Sequence, residues 1–448
     1  MNLLRLKGTG KKLIRFASRG EVQDYFIRLP NRERRRKWLR LGNRYRSECT
    51  RLYSRDLAAG TVDHHQLADY IAASGPTHAI DGWSLLGRAI DSSLRGDAYS
   101  AVHFAYYAEL RAGMALLACE GVGIFNNRHP AIEPTGQTSP LPKSEIWNPS
   151  TKKFDDRWVG THAIIWPCLY HWSTLKRAAG LFDELIKPRG LPLSGWLQEC
   201  GATVPARAIG QAWLKAWGLD IAVLDEDHNA RNLASYRPSE FRLPPSLSVA
   251  ERVKFVEELW RLFEPSEGTR FSVLERYLLR RALHLAKLTA VPSTTLERLG
   301  FQPLEAQDWA NFLSRTDYPI PLIEADKDSP IQDARCHLQV IARAALLLYL
   351  AACAANRLLR NANYTTLDIS HWWRRFGEAR GLWPDDKIPT NPLDTWADIQ
   401  SSLDEARVWR DRNQAAPGSS LRTWRRAQPS VVDDLGSCEM IAVWGLRP

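Results

Sequence analysis

Residues 97–121 read Asp97-Ala-Tyr-Ser-Ala-Val-His-Phe-Ala-Tyr-Tyr-Ala-Glu-Leu-Arg-Ala-Gly-Met-Ala-Leu-Leu-Ala-Cys-Glu-Gly121. The segment is rich in alanine and aromatic residues, and the glycines Gly121 and Gly123 end it, which predicts one long helix. A second apolar run, Ala344–Ala355, is too short to span a bilayer and therefore predicts a buried core helix. Since almost every other periodic segment also has helical spacing, the sequence predicts an all-α protein.

The candidate functional site lies on a second predicted helix, Asp225-Glu-Asp-His-Asn-Ala-Arg-Asn-Leu-Ala-Ser-Tyr236. Pro238 follows it, which predicts that the helix ends just past Tyr236. Helical spacing puts five polar side chains on or beside one row: His228, Arg231, Asn232, Ser235 and Tyr236. Such a face can bind or cleave a phosphodiester, or it can cap a buried polar network, and the residues alone leave both interpretations open.

Arg231-Asn232-x-x-x-Tyr236 resembles the Arg-Asn-x-x-x-His signature of HEPN domains, all-helical modules of prokaryotic defence and toxin systems. Residues 97–121 look like the first helix of such domains, and the resemblance covers at most residues 92–245. It implies a metal-independent ribonuclease, usually a homodimer whose two motifs face each other. In that family the arginine steadies the scissile phosphate and the histidine moves protons.

The chain departs from the family signature at Tyr236, which stands where the family has histidine. A phenol with a reference pKa of about 10 is a poor base at neutral pH. His228 lies two helical turns away and is the candidate for the missing imidazole. A non-catalytic RNA-binding relative is the alternative. The segment Arg157-Trp-Val-Gly-Thr-His162 fits a looser Arg-x4-His form but lacks the polar residue after the arginine.

Three polar residues of the 97–121 helix are candidates to support the site: His103, Glu109 and Arg111. His103 and Tyr107 share a face four residues apart, as do Tyr107 and Arg111. In a helical bundle this line can pack against the 225–236 helix. Glu109 then either orients Arg231 or pairs with another neighbouring arginine, because an unpaired carboxylate on an apolar helix is costly to bury.

The positive charge is concentrated at the N-terminus. Residues 1–57 contain 17 Lys and Arg against 5 Asp and Glu, so their net charge is +12 and the rest of the chain sums to −2. The candidate nucleic-acid-binding residues are Arg32, Arg34, Arg35, Arg36, Lys37, Arg40, Arg44 and Arg46. If helical, this segment shows cations on all sides with aromatic residues between them, which suits a polyanion. The alternatives are docking onto an acidic patch and contact with an anionic membrane surface.

The predicted organisation is a basic N-terminal segment over 1–57, a HEPN-like helical domain over 58–245, a C-terminal helical domain over 246–415, and a linker and tail over 416–448. Within it, 57–73 and 82–94 are two helices joined by a turn at Ser74-Gly-Pro-Thr77. Residues 125–160 are a long inserted loop. Ser248-Val-Ala-Glu251 predicts a capping box, 417–429 a linker, and Met440–Trp444 a short strand.

Composition and motifs exclude several classes of protein. Seven scattered cysteines with no Cys-x-x-Cys pair favour reduced thiols in a cytoplasm over a disulfide framework or a zinc knuckle. No signal peptide is apparent after Met1, and no membrane association is expected. We find no phosphate-binding loop, no His-Glu-x-x-His motif and no other metal signature, so we expect neither cofactor nor metal.

Taken with the reduced thiols, the resemblance to HEPN domains therefore implies a cytoplasmic bacterial defence or toxin-type effector that acts on RNA, with nucleic acid as its expected partner and a homodimer as its expected assembly. In this hypothesis Arg231 holds the scissile phosphate, Asn232 and Ser235 position the backbone, and His228 or Tyr236 handles the proton of the 2′-hydroxyl. The alternative is a non-enzymatic nucleic-acid-binding or assembly subunit of a multi-protein defence system. Other protein partners are not indicated.

Overall fold

The computed structural model describes residues 4–148, 150–216, 221–236, 247–266, 271–326, 336–383, 387–413 and 421–448. Helices make up 66% of the chain and strands 5%, which confirms the all-α class. Pro238 and the predicted domain boundary at 245 lie outside the described residues. The division into domains therefore stays a prediction.

The elements of the first half surround one long helical hairpin. Its helices are α1 Gly8–Phe16, α2 Arg19–Arg28, α3 Asn31–Arg34, α4 Cys49–Ala59, α5 His64–Leu94, α6 Ala98–Cys119, α7 Thr161–Ser173, α8 Lys176–Leu185, α9 Leu193–Glu199, α10 Ala206–Ala216 and α11 Ile221–Tyr236, with a 3₁₀ turn at Pro188–Gly190. Its strands are β1 Leu4–Arg5, β2 Pro130–Ile132, β3 Thr138–Pro140, β4 Ser144–Asn148 and β5 Lys153–Arg157. The hairpin is formed by α5 and α6, which pack along their length.

The elements described in the second half are all helical. They are α12 Val249–Leu262, α13 Ser272–Leu285, α14 Ser293–Arg298, α15 Pro303–Ser314, α16 Ile320–Glu324, α17 Cys336–Asn361, α18 Ser370–Arg380, α19 Trp396–Asn413, α20 Leu421–Ala427, α21 Pro429–Gly436 and α22 Met440–Gly445. Helix α12 begins with the predicted capping box of Ser248 and Glu251. Helix α17 packs against both α5 and α6, so the apolar core is continuous between the two halves.

The predicted turn at Ser74–Thr77 is wrong, because α5 runs without interruption from His64 to Leu94 with Pro76 inside it. Proline lacks the amide that would complete the helical ladder, and in a helix interior it costs about 3 kcal/mol. Residues 71–76 are nevertheless buried. Packing of this face outweighs the local preference for a turn, as is usual for helices stabilised by tertiary contacts.

Gly82, on α5, lies in close contact with residues of α6 and α17. A Cβ at this position would overlap Cδ2 of Leu348 and lie 3.3 Å from Cβ of Arg111. We expect Gly82→Val to destabilise the fold by about 1–3 kcal/mol, because overpacking forces the neighbouring side chains off their rotamers. Urea unfolding measures this change in the free energy of unfolding.

The matched control for Gly82 is Gly180→Ala in α8. Nothing lies within 4 Å of the position that a Cβ would take at Gly180. That variant should gain about 0.5–1 kcal/mol, because alanine loses less backbone entropy than glycine in a helix. An equal loss in the free energy of unfolding for the two variants would show that the close contact at Gly82 does not set the spacing between α5, α6 and α17.

The predicted loop over 125–160 is wrong in part, since it contains four short strands. β2 and β3 form one antiparallel pair, and β4 pairs with both β5 and the N-terminal β1. Each strand is only three to five residues long. One partner, Leu4–Arg5, comes from the far end of the chain, so no local pattern shows the pairing.

Two C-terminal predictions are also wrong. Met440–Trp444 belongs to a helix, α22, that is buried on all sides and packs against α17 and α5. A short apolar run cannot be assigned to strand or helix by periodicity. In the predicted linker over 417–429, the described part after residue 420 begins with the helix α20.

Helix α17 carries the predicted core run. In the described part of the chain, its residues His337–Asn361 are the one helix long and apolar enough to cross a membrane. The most apolar window of that helix is 94% buried inside the protein. Such burial is typical of the core helix of a soluble protein.

Candidate functional site

A buried ion-pair cluster fixes α11 against the core. The guanidinium of Arg343, on α17, donates to both carboxylate oxygens of Asp227, on α11, at 2.6–3.0 Å. Nε of Arg343 also lies 3.6 Å from Oε1 of Glu109 on α6. All three side chains are 5% exposed or less. The cluster joins α6, α11 and α17 at Asp227, one helical turn before Arg231.

The two carboxyl groups of this cluster share one guanidinium. Burial, and then the neighbouring Asp227, raises the pKa of Glu109 well above its usual value, while Arg343 opposes that shift. Burial raises the pKa of Asp227 as well. Because Asp227 holds the bidentate contact, we assign the proton to Glu109.

This assignment predicts a pH-dependent stability. The folded-state pKa of Glu109 lies above its unfolded value of about 4.3, so the folded protein binds the extra proton between the two values. The stability from this group is present below about pH 4.3 and is lost as pH rises through the folded pKa. We expect Glu109→Gln to be near neutral at pH 4 and stabilising at pH 7, as measured by urea unfolding. A constant difference between wild type and variant at the two pH values would contradict it.

Arg231 is the centre of the polar network on α11. Its guanidinium donates to the hydroxyl of Tyr107 on α6 and, at 2.7 Å, to Oδ1 of Asn232. Nδ2 of Asn232 in turn lies 3.4 Å from Nε2 of His228. The carboxamide therefore links the cation to the imidazole.

Three nearly parallel rings lie beside this network. The imidazoles of His162, from α7, and His228 are 5.7 Å apart between centroids, with 9° between their planes. Tyr106, from α6, is stacked with both, at 5.8 Å from His162 and 5.5 Å from His228. The hydroxyl of Tyr106 lies 3.0 Å from Nδ1 of His162. Two imidazoles and a guanidinium thus meet where three helices converge.

His162 is neutral at physiological pH. Burial, followed by the charges of Arg231 and His228, lowers the pKa of His162 to about 4. Burial also raises the pKa of Tyr106, so its hydroxyl keeps its proton. In the tautomer with Nδ1 protonated, His162 donates to the Tyr106 oxygen, and Nε2 presents the lone pair that a general base requires.

The 97–121 helix packs against the 225–236 helix, as predicted. Nδ1 of His103 lies 2.7 Å from Oγ of Ser235, which fixes the last turn of α11 against α6. Burial and the charge of Arg231 lower the pKa of His103. Tyr236 is the most exposed residue of the group, with 74% of its surface open, and its ring lies 5.7 Å from the guanidinium carbon of Arg231.

Two of the predicted supporting residues have other partners. Glu109 satisfies a neighbouring arginine, Arg343, which is the second of the two roles predicted for it. Arg111 contacts α5, where Nη1 lies 3.0 Å from Nδ1 of His78 and 3.8 Å from Asp81. Arg111 is therefore a residue of the helical hairpin rather than of the site.

Sequence reasoning did not assign two members of the site, His162 and Tyr106, whereas it placed Tyr107 on the helix face expected to pack against the 225–236 helix. The Arg-x4-His pattern ending at His162 was the available signal. The arginine of that pattern, Arg157, does not lie beside His162, since it is exposed on β5 and contacts Asp155. The arginine that acts on the pKa of His162 is Arg231, from another helix.

The basic N-terminal segment is not a continuous helix, because α3 ends at Arg34 and turns follow it. Three of its candidate cations are used inside the protein. Arg34 donates to the backbone of Leu29 and Ala362, Arg35 pairs with Asp368 at 3.3 Å, and Arg44 pairs with buried Asp56 at 2.7 Å. Arg35 and Arg44 thus contact acidic side chains of the same protein, whereas Arg34 contacts backbone carbonyls.

The other cations of the segment divide differently. Arg36, Lys37 and Arg46 are exposed and make no ion pair among the described residues. Arg40 is half-buried, and the side chain of Arg32 lies outside the described residues. Arg36, Lys37 and Arg46 are thus the members of the predicted nucleic-acid-binding set that remain open to a partner.

Within the described part of the chain, no group of three or more His, Cys, Asp or Glu side chains is placed to hold a metal ion. Six cysteines have described side chains, and all six are free thiols. Comparisons with protein-family models, with curated proteins and with solved structures found no match to this chain.

Proposed function

We propose that this protein is a metal-independent endoribonuclease, a cytoplasmic effector of a bacterial defence or toxin system, with its site in a HEPN-like helical bundle. The observation that carries the proposal is the meeting of Arg231 with the parallel imidazoles of His162 and His228. A phosphodiester cleaved by its own 2′-hydroxyl needs a base, an acid and a cation. This cluster supplies all three.

The proposed reaction is an internal transfer. Nε2 of His162 accepts the proton of the 2′-hydroxyl, and the oxygen attacks the adjacent phosphorus. Arg231 stabilises the negative charge that develops on the phosphoryl oxygens. His228 or the exposed Tyr236 gives a proton to the departing 5′ oxygen. The products are a 2′,3′-cyclic phosphate and a 5′-hydroxyl.

The site residues have graded roles in this proposal. Asn232 is a positioning residue, since it links Arg231 to His228. Ser235 and His103 hold the end of α11 in place. The resemblance to HEPN domains adds the expectation of a homodimer with its two sites facing each other.

The experiment is product analysis after incubation of cellular RNA with the purified protein in EDTA. We expect cleavage that persists in EDTA, leaves 2′,3′-cyclic phosphate ends, and stops when the 2′-hydroxyl at the cleaved position is replaced by hydrogen. Loss of activity in EDTA, or 5′-phosphate ends, would contradict the proposal, because both indicate metal-activated water as the nucleophile.

One observation favours a second function, that of a non-enzymatic nucleic-acid-binding or assembly subunit. Arg231 is only 7% exposed, and its donors already serve Tyr107 and Asn232. An arginine so occupied can be a structural element at the end of a helix. Salt-dependent RNA binding without cleavage, unchanged in Arg231→Ala, is the result expected of this function.

A further inference from the structure

A shallow groove lies between the basic N-terminal segment and helix α18. Its cavity volume is about 470 Å³. The residues that define this basic groove are Arg36, Lys37, Trp38, Arg46, Trp372, Arg375 and Phe376. The first four come from one end of the chain and the last three from α18, more than 300 residues away. None of them belongs to the candidate active site.

The groove is strongly cationic. Arg36, Lys37, Arg46 and Arg375 are all exposed. None of the four makes an ion pair with any described residue, and the described lining contains no carboxylate. Asp368, beside the groove, is already held by Arg35 and by Thr365. Four exposed cations around one depression attract a polyanion.

Aromatic rings form the floor of the groove. Trp38 and Phe376 are half-exposed, so part of each ring is open. Trp38 lies 6.2 Å from Trp372, and Trp372 lies 5.7 Å from Phe376, between ring centroids. Partly exposed aromatic rings beside cations are an arrangement on which unpaired bases can stack while their phosphates are neutralised.

The groove is held in shape by contacts that do not use its cations. The hydroxyl of Tyr25 donates to the carbonyl of Trp38 at 2.7 Å. Arg34 donates to the carbonyl of Ala362 at 3.2 Å and stacks on the ring of Tyr364 at 4.5 Å. Because the neighbouring arginines anchor the segment, Arg36, Lys37 and Arg46 are left to face outward as a preformed set.

We propose that the basic groove binds single-stranded RNA, with its phosphates on the four cations and an unpaired base stacked on Trp38 or Phe376. The proposal rests on RNA as the substrate of the proposed function and adds a second, non-catalytic contact for the same strand. A duplex hides its base faces, so it can use the cations but not the rings.

The test measures binding of a fluorescent 2′-O-methyl oligouridylate to the full chain, since this probe cannot undergo the 2′-hydroxyl reaction. The variant is Arg46→Gln with Arg375→Gln. The control is Arg425→Gln with Arg426→Gln, two exposed arginines on α20 that give the same change in net charge. Each phosphate contact on a single strand contributes about 0.7 to the slope of log Kd against log salt concentration. The groove variant removes two such contacts and should therefore reduce that slope by about 1.4. The control variant should leave it unchanged.

Stacking is tested separately by Phe376→Leu, which keeps apolar bulk but removes the ring. We expect it to weaken binding of the oligouridylate by about 5- to 150-fold. Phe16→Leu, at an aromatic ring that is 53% exposed outside the groove, should leave binding unchanged. Circular dichroism and thermal unfolding confirm that each variant is folded.

Three outcomes overturn the proposal: equal effects of the groove and control pairs, equal affinity for a duplex of the same length, or equally strong competition by a polyglutamate peptide of the same charge. The last would indicate an acidic protein segment as the occupant. Failure here is distinguishable from failure of the proposed function. If Arg231→Ala abolishes RNA cleavage and the groove variants leave cleavage unchanged, only the groove proposal is contradicted. If the protein never cleaves RNA but the groove variants lose binding of the probe, only the nuclease proposal is contradicted.

Discussion

His162→Gln should lower kcat for RNA cleavage by about 10²- to 10⁴-fold, the usual contribution of a general base. The physical reason is that Nε2 of His162 provides the lone pair that takes the 2′-hydroxyl proton, and glutamine cannot replace it. The matched control is His171→Gln on the same helix, because Nε2 of His171 lies 3.0 Å from the backbone carbonyl of Lys11 and the ring is not part of the candidate site. Single-turnover cleavage of a defined oligonucleotide measures both variants.

The same residue gives an expected pH profile. A base must be unprotonated, so kcat/KM should fall as pH decreases through about 4, the pKa to which burial lowers His162. The charge of Arg231 is the second cause of that low pKa. Arg231→Gln removes that charge and should therefore move the midpoint to higher pH. Proton NMR of the His162 ring can follow this shift in pKa without an activity measurement. An unchanged kcat in His162→Gln would remove His162 from the mechanism.

Arg343→Met should destabilise the protein by about 3–5 kcal/mol, the second large effect. Removing the guanidinium leaves the carboxyl groups of Asp227 and Glu109 buried without their cation. Removal of one partner of a buried ion pair typically costs about 3–5 kcal/mol of stability. Because the pair ties α11 to α17, the loss should also loosen the helix that carries Arg231. Urea unfolding gives the free energy of unfolding.

The control for Arg343 is the variant in which both carboxyl groups are neutralised as well, Arg343→Met with Asp227→Asn and Glu109→Gln. It should recover most of the lost stability, since no charge is then left buried. If the single and triple variants were equally unstable, the loss would come from packing of the arginine side chain and not from its charge.

The helices themselves were largely predictable, because their apolar periodicity extends over many residues. The helix of 97–121 and the capping box of Ser248 both match the sequence-based expectation. Predictions failed where a local signal met a stronger tertiary contact. Pro76 indicates a turn locally, yet burial on both sides of it keeps α5 continuous.

The candidate site was only half predictable, for a related reason. His228, Arg231, Asn232 and Ser235 share one helix, so helical spacing alone places them together. His162 reaches them from α7 and Arg343 from α17, and no periodicity connects such distant segments. The basic N-terminal segment likewise divides into anchoring and outward-facing arginines only once Asp56 and Asp368 are in place.

The central claim is that Arg231 and its imidazoles form a ribonuclease site. The most direct test is single-turnover cleavage of one defined RNA in EDTA by wild type, Arg231→Ala and Arg111→Ala, each checked for folding by circular dichroism. Our account predicts that Arg231→Ala loses about 10²- to 10³-fold in rate, as expected for removal of a group that stabilises transition-state charge. Arg111→Ala, whose contacts are with α5, should keep its activity. Equal rates for wild type and Arg231→Ala would contradict the account.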